Sequence, residues 1–335
     1  MDGLDPQLLR VLRAVRDAGS ISRAAGALGY SQPAVSQLLA RAERRLGHDL
    51  VLRGARGVTL TESGRVLAEH ALAVEAALAA AREDLEAVGG LARGRVRIAG
   101  FPSASSTLVP SALATMAADA PGVVTSYVEA EPPEAVDLLR RGEVDVAITF
   151  SHAPQDDDVL TDPTLTAQVL GRDPLALVTP TRPVSATRAT SPVTATSATS
   201  PVTATRAASA VSADAPGAEV VADLAAQRDA RWIGGCPRCR GHLLASCAAS
   251  GFTPEIVLET DNAAAVVGLV AAGVGVALLP RLALTTTIVP PGVTVTPAGD
   301  ELARRVEVVV ARGAERVPSI GAALAAVGAA AHLLG

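Results

Sequence analysis

Two helical stripes with almost nothing between them constrain this chain most. Ile21, Ala24, Ala25 and Leu28 recur at the three-and-four spacing of one helix face, and Val35, Leu38, Leu39, Ala42 and Leu46 do so again. Six residues separate the stripes, and Gly29, Tyr30 and Ser31 among them are the whole of the turn. Gly suits the left-handed residue that ends a helix, while Ser31 followed by Pro33 suits the start of the next. A turn this short makes a helix-turn-helix. Upstream, Leu8, Val11, Leu12 and Val15 mark a further helix, opened by Asp5-Pro6 and closed by Gly19, with Ser20 starting the middle one. Downstream, LVLRGARGVTLT reads as two short strands about a Gly-rich turn. The expectation is a winged helix-turn-helix over residues 1–62.

With its apolar stripe turned inward, the third helix presents Pro33, Ser36, Gln37 and Arg44, flanked by Gln32 and Arg41. Amide and small side chains near a helix N-terminus can enter the major groove, where Gln pairs with adenine in bidentate fashion. Ser20, Ser22 and Ser31 stand where hydroxyls and helix N-termini hold phosphates. Arg53 and Arg56 of the wing are placed for a minor groove or phosphate. Charge agrees with this reading. Residues 1–65 carry a net charge of +4, whereas the whole chain carries −5. A basic head on an acidic body suits a protein that meets phosphate at one end.

From Thr61 the period changes. Leu67, Ala71, Val74, Leu78, Ala81, Leu85 and Val88 step alternately by four and three, an apolar heptad seam. Residues 63–92 are therefore expected to form a linker and dimerisation helix. Paired rods would deliver two heads to two half-sites of a double-stranded operator.

The body alternates strand and helix. RVRIAG, VVTSYVEAE and VDVAITF read as strands with helices between them. The series resumes with DPLALVTP, ARWIGG, EIVLET and VGVALLP, and ends on RRVEVVVAR and a helix from Ile320 to Leu334. Such alternation implies parallel sheets with crossovers. Aromatics are only 2% of the chain, so its cores must be built from Ala, Val and Leu. Three strand ends, FPSASS, GCPRC and ETDN, each open a helix. Open parallel sheets bind ligands beyond such ends, and Ser103, Ser105, Thr260 and Asn262 could donate hydrogen bonds there. Within 181–216, TSPVTAT occurs twice in a Ser/Thr/Ala/Pro run, read as a disordered low-complexity insertion.

The segment GSISRAAGALGYSQPAVSQLLARAERRLGHDLVLRGARGVTLTESGRVL resembles the N-terminal domain of the LysR-type transcriptional regulators, a bacterial family. The likeness extends over about the first 90 residues, with Ile21 where an aromatic is common and Val51 where Phe is usual. The resemblance implies DNA contact by Gln32, Pro33, Ser36 and Gln37, with Arg53 supporting from the wing. LVAAGVGVALLP is similar to the family's effector domain, itself similar to periplasmic binding proteins. The expected architecture is thus α+β and α/β multidomain, a winged helix-turn-helix and a long linker helix followed by two Rossmann-like lobes. Lobe 1 is expected at 93–168 and 282–335, and lobe 2 at 169–281. By resemblance Ser103, Glu131, Phe150, Cys236 and Thr260 line the cleft between them. The family also implies a homodimer or homotetramer, a small-molecule effector of unknown identity, and a possible contact with RNA polymerase.

The cysteines leave alternatives. Cys236-Pro-Arg-Cys239 followed by His242 and Cys247 has the donor types of a zinc set, but on one helical turn the spacings are awkward. A redox pair is a second option, since a helix N-terminus favours a thiolate. Structural thiols beside the cleft are the preferred reading, with no metal and no cofactor expected. A thiol-sensing regulator and, less favoured, a thiol-disulfide oxidoreductase are the rival functions. No Ser-His-Asp, HExxH or phosphate-loop pattern supports an enzyme. The acidic N-terminus lacks the pattern of an export signal, so a soluble, cytoplasmic regulator without membrane contact is expected.

Overall fold

The computed structural model describes residues 4–54, 57–88, 94–152, 159, 162–181 and 221–334. Arg56 and nearly all of the expected insertion lie outside these residues, as does the side chain of Val88.

The head folds as its punctuation predicts. α1 (Pro6–Ala18), α2 (Ile21–Leu28) and α3 (Gln32–Leu46) are followed by β1 (Val51–Gly54) and β2 (Gly57–Leu60). Asp5 caps α1 by accepting from the Leu8 amide at 2.7 Å, and Ser31 caps α3 by accepting from Ala34. Gly19 and Gly29 end the first two helices at φ 60° and 72°, conformations that side chains resist. The stripes meet in one core of Leu8, Val11, Leu12, Val15, Ile21, Val35 and Leu39, with Leu50 beneath the wing. Glu43 fixes the wing's approach by accepting from the Leu50 and Val51 amides.

The expected rod is broken. α4 (Glu62–Glu69) ends at His70, and α5 (Ala71–Val88) starts afresh. The inward face of α5 is also not the seam. Leu72 and Ala76, with Ala79 and Ala80 beside them, join the core of the first lobe. The Glu83 carboxylate accepts from the Ser319 amide at 2.8 Å and from its hydroxyl at 2.7 Å. The seam divides accordingly. Leu67 packs on the head and Ala71 is buried, Val74 is half-buried, and Leu78, Ala81 and Leu85 are exposed.

The body holds two lobes, the first built on one five-stranded sheet and the second on a three-stranded sheet and a two-stranded pair. Lobe 1 contains β3 (Gly94–Gly100), β4 (Val123–Glu129), β5 (Val146–Ser151), β6 (Leu165–Asp173) and β12 (Arg304–Ala311), in the order β4-β3-β5-β12-β6. β3 runs parallel to β4 and β5, while β12 is antiparallel to both of its neighbours. Its helices are α6 (Pro102–Ser105), α7 (Leu108–Asp119), α8 (Pro132–Arg140) and the closing α12 (Pro318–Ala329). Lobe 2 contains β7 (Leu175–Pro180), β8 (Arg231–Gly234), α9 (Pro237–Ala249), β9 (Glu255–Glu259), α10 (Ala263–Ala271), β10 (Ala277–Pro280), α11 (Arg281–Leu284) and β11 (Val293–Pro297). β10, β7 and β11 form one antiparallel sheet and β8-β9 a parallel pair, joined by a parallel bridge from Trp232 to Val276.

Two expected boundaries therefore move. β6 belongs to lobe 1 as far as Asp173, so lobe 2 starts after residue 173 rather than at 169. β11 belongs to lobe 2, so the chain returns at Arg304 rather than at 282. Both crossings lie side by side, with Arg304 paired to Asp173 in the ladder. Among the described residues no helix is long and apolar enough to cross a membrane.

Candidate functional site

Two surfaces collect the candidate residues. On the first, Gln32, Pro33, Gln37 and Arg41 are exposed along α3, and Ser36 is half-exposed between them. Burying Val35, Leu39 and Ala42 against the head core turns this face outward. Gln32 donates from Nε2 to Ser36 Oγ at 2.9 Å, which holds both side chains on one ridge. Ser22, Ser31 and Arg53 are exposed nearby in sequence, while Ser20 is half-buried as the N-cap of α2.

The second surface is a cavity of about 580 Å³ between the lobes. Ser103, Glu131, Phe150, Cys236, Thr260 and Asn262 all line it. Ser105 does not. Its hydroxyl points to the far side of α6, bonded to Tyr127 Oη at 2.5 Å and to the Phe101 carbonyl, and Ser106 takes its place on the wall. One helical residue is 100° of rotation, enough to move a side chain from wall to core.

The floor is built around Arg304. Its guanidinium meets the Asp173 carboxylate at 2.8 and 2.9 Å, donates to Ser103 Oγ at 2.5 Å, and lies over the Phe101 and Phe150 rings at 4.7 and 4.4 Å. Both charges are buried, and Asp173 also accepts from the Leu282 amide. Neither Arg304 nor Asp173 shows in the sequence, because an Arg opening a Val-rich strand reads as a strand end.

Acidic and thiol groups face Arg304. Glu131 stands at the N-cap position of α8 but makes no capping bond. Burial pushes its carboxyl up to about 8, reinforced by Cys236 and Asp261. Cys236 caps α9, accepting from the Cys239 amide at 3.5 Å. A hydrogen bond from the Cys239 thiol holds Cys236 below the usual thiol range and pushes Cys239 up. Asp261, overlooked in the sequence, lies beside them on the wall.

The four-donor zinc set suggested by spacing does not assemble. Cys247 is buried in the lobe 2 core with Trp232 and Leu243, where burial pushes its thiol up to about 11. His242 stacks on His152 with ring centroids 4.1 Å apart.

A family described as bacterial regulatory helix-turn-helix protein, lysR family, matches residues 6–65, and the LysR substrate binding domain matches 89–199 and 186–331. The chain belongs to the LysR family. Among similar curated proteins, the nitrogen assimilation regulatory protein nac of Klebsiella aerogenes is 33% identical over 139 residues, 41% of this chain and 46% of that one. The HTH-type transcriptional regulator CbbR of Sinorhizobium medicae is 33% identical over 172 residues, 51% of this chain and 52% of the other. A probable hydrogen peroxide-inducible genes activator of Mycobacterium xenopi is 34% identical over 140 residues, 42% of this chain and 74% of that one. The chain spans about half the length of the first two relatives. Among solved structures, a full-length OxyR variant from Pseudomonas aeruginosa superposes with a TM-score of 0.61 at 18% identity, covering 98% of this chain and 95% of the other. An H2O2-bound OxyR variant of Corynebacterium glutamicum gives 0.53 at 20% identity, covering 97% and 92%. These two likenesses establish the LysR fold of head, linker helix and two lobes.

Proposed function

We propose that this LysR-family chain is a transcription regulator that binds double-stranded DNA through α3 and its wing and changes that binding when an effector occupies the interlobe cavity. The observation that carries the reading is the α3 ridge, where Gln32, Pro33, Ser36 and Gln37 stand clear of a fully formed head core. Amide and hydroxyl groups on such a ridge read base edges, while the arginines around it meet phosphate. The chain acts as a homodimer through the exposed half of the α5 seam, which sets two heads on one operator. Its site of action is the cytoplasm, and RNA polymerase bound nearby is the machinery it influences. Catalysis is no part of this reading.

Fluorescence anisotropy against fragments of the chain's own upstream region tests it. Replacing Ser36 and Gln37 by Ala is expected to weaken specific binding by about 1–3 kcal/mol per lost base contact, with non-specific binding little changed. Equal affinity of wild type and variant for the operator would refute the α3 assignment.

One observation favours a thiol-sensing version of the same regulator. Cys236 and Cys239 share the cavity wall, the Cys239 amide donating to Cys236 Sγ at 3.5 Å. A hydroperoxide would take two electrons and two protons from the pair, leaving a disulfide, an alcohol and water. A peroxide-induced change in operator affinity that Cys236→Ser removes supports this version; insensitivity of the wild type excludes it.

A further inference from the structure

The cavity wall gathers electron-pair donors from both lobes and leaves them facing one another. Glu131 comes from lobe 1; Cys236 and Asp261 come from lobe 2. One donor atom from each lies within 4.8 Å of the other two. The Cys239 amide donates to Cys236 Sγ at 3.5 Å, and Cys239 lines the same wall. Glu131 Oε2 is buried with no hydrogen-bond partner among the described residues. The nearby cation, Arg304, is already committed to Asp173 and Ser103. Two carboxylates and two thiols crowded together repel one another as they ionise, and a buried carboxylate oxygen without a partner is costly. An anionic effector would add a further negative charge at this wall. A cation relieves the crowding.

We propose that the cavity binds a thiophilic divalent cation of the zinc class, held by Glu131, Cys236 and Asp261 with Cys239 as fourth donor, and that this ion is the effector.

Mixed thiolate and carboxylate donors select such an ion over Mg²⁺ or Ca²⁺, which take six or more oxygens. In a tetrahedral site with bonds of about 2.0–2.3 Å, donors sit roughly 3.3–3.8 Å apart. Separations of up to 4.8 Å must therefore shrink by about 1 Å. Because Glu131 lies across the cleft from the other three, an ion held by all of them ties the two lobes together. Cation binding thereby couples one lobe to the other, the link through which the ion would act as effector.

The inference rests on the cavity being the effector site of a DNA-binding regulator, and the test separates the two. Full-length chain, reduced and stripped of metal, is dialysed against zinc, with cobalt as a coloured surrogate. One ion per chain and a thiolate-to-cobalt charge-transfer band are expected. Glu131→Gln and Asp261→Asn, which keep side-chain shape, should each weaken zinc binding at least tenfold, and Cys236→Ser should remove the cobalt band. Cys247→Ala, altered only in the lobe 2 core, should keep both. Failure of the wild type to bind zinc would overturn the proposal, as would binding that survives Glu131→Gln and Cys236→Ser together. Operator affinity is measured on the same samples with and without zinc. DNA binding without zinc binding sinks the cation site and leaves the regulator standing. Zinc binding at the cluster by a chain that binds no operator sinks the regulator and leaves the site. Zinc that fills the cluster without altering DNA affinity or footprint would strip the ion of its effector role.

Discussion

Arg304 satisfies four neighbours at once. It neutralises Asp173, donates to Ser103, and covers two aromatic faces. Removing one member of a buried ion pair leaves the other charge in a poorly solvated place, at a cost of about 3–5 kcal/mol. Arg304→Met should therefore lower the urea midpoint strongly, while Arg304→Met combined with Asp173→Leu should recover most of the loss. Equal destabilisation by the single and double variants would show that the pair is not what matters. From the residues alone, cleft positions were legible where they followed a strand end; Glu131 and Phe150 came only from the family resemblance, and both line the cavity. Ser103, Cys236, Thr260 and Asn262 satisfy that rule and line the cavity. Ser105 satisfied it too, yet turned inward, because the helix starts at Pro102 and its phase places position 105 over Tyr127. Arg304 enters from an antiparallel strand's beginning, and no pattern marks that place.

At the scale of elements, strong periods were legible and half-exposed edges were not. The three head helices and the wing lie where their caps put them. β6 and β11 escaped notice because each is an edge strand, paired on one side only and with few buried positions, β6 carrying Thr, Gln and Arg and β11 Thr and Pro. The heptad seam was real as a pattern, but it did not predict the break at His70 or the Leu72/Ala76 face that packs inward. Its outer half has its own consequence. Leu85 is 73% exposed and Leu78 39% on a single chain. Leu78→Arg with Leu85→Arg should convert dimer to monomer in analytical ultracentrifugation without lowering the thermal midpoint; an unchanged sedimentation coefficient would place the dimer elsewhere. Gly64 makes a second element-scale test. A Cβ there would stand 2.1 Å from the Leu50 carbonyl oxygen, so α4 must move off the wing root. Gly64→Ala should cost about 1–3 kcal/mol of head stability by chemical denaturation.

At the scale of the whole molecule, head and linker are joined by charge, and linker and first lobe by hydrogen bonds from Ser319 to Glu83. Arg10 and Arg13 of α1 both reach Glu75 of α5, at 2.9 and 3.0 Å. The segment between Thr181 and Val221 leaves and rejoins far from that junction. Thr181 donates its amide to Gly292 and Ala222 donates to Pro297, at opposite ends of β11. A replacement linker must therefore span roughly 17 Å, the length of a five-residue strand. Substituting ten Gly/Ser residues for 184–218 should leave operator affinity within twofold, as read by anisotropy; a tenfold loss would give that segment a part in DNA binding.

The strand order of the first lobe also dictates a timetable. β12 occupies the slot between β5 and β6, and it is the last strand of the chain to be synthesised. While the ribosome is still translating, β6 has no neighbour in its own sheet, whereas every strand of the second lobe already exists once residue 297 has emerged. The second lobe can thus complete itself first. The first stays open along one edge until residue 311 has also emerged, about 1–3 s of elongation later at roughly 5–20 residues per second. During that interval β5 has one unpaired edge and β6 has two, edges on which a chaperone could act.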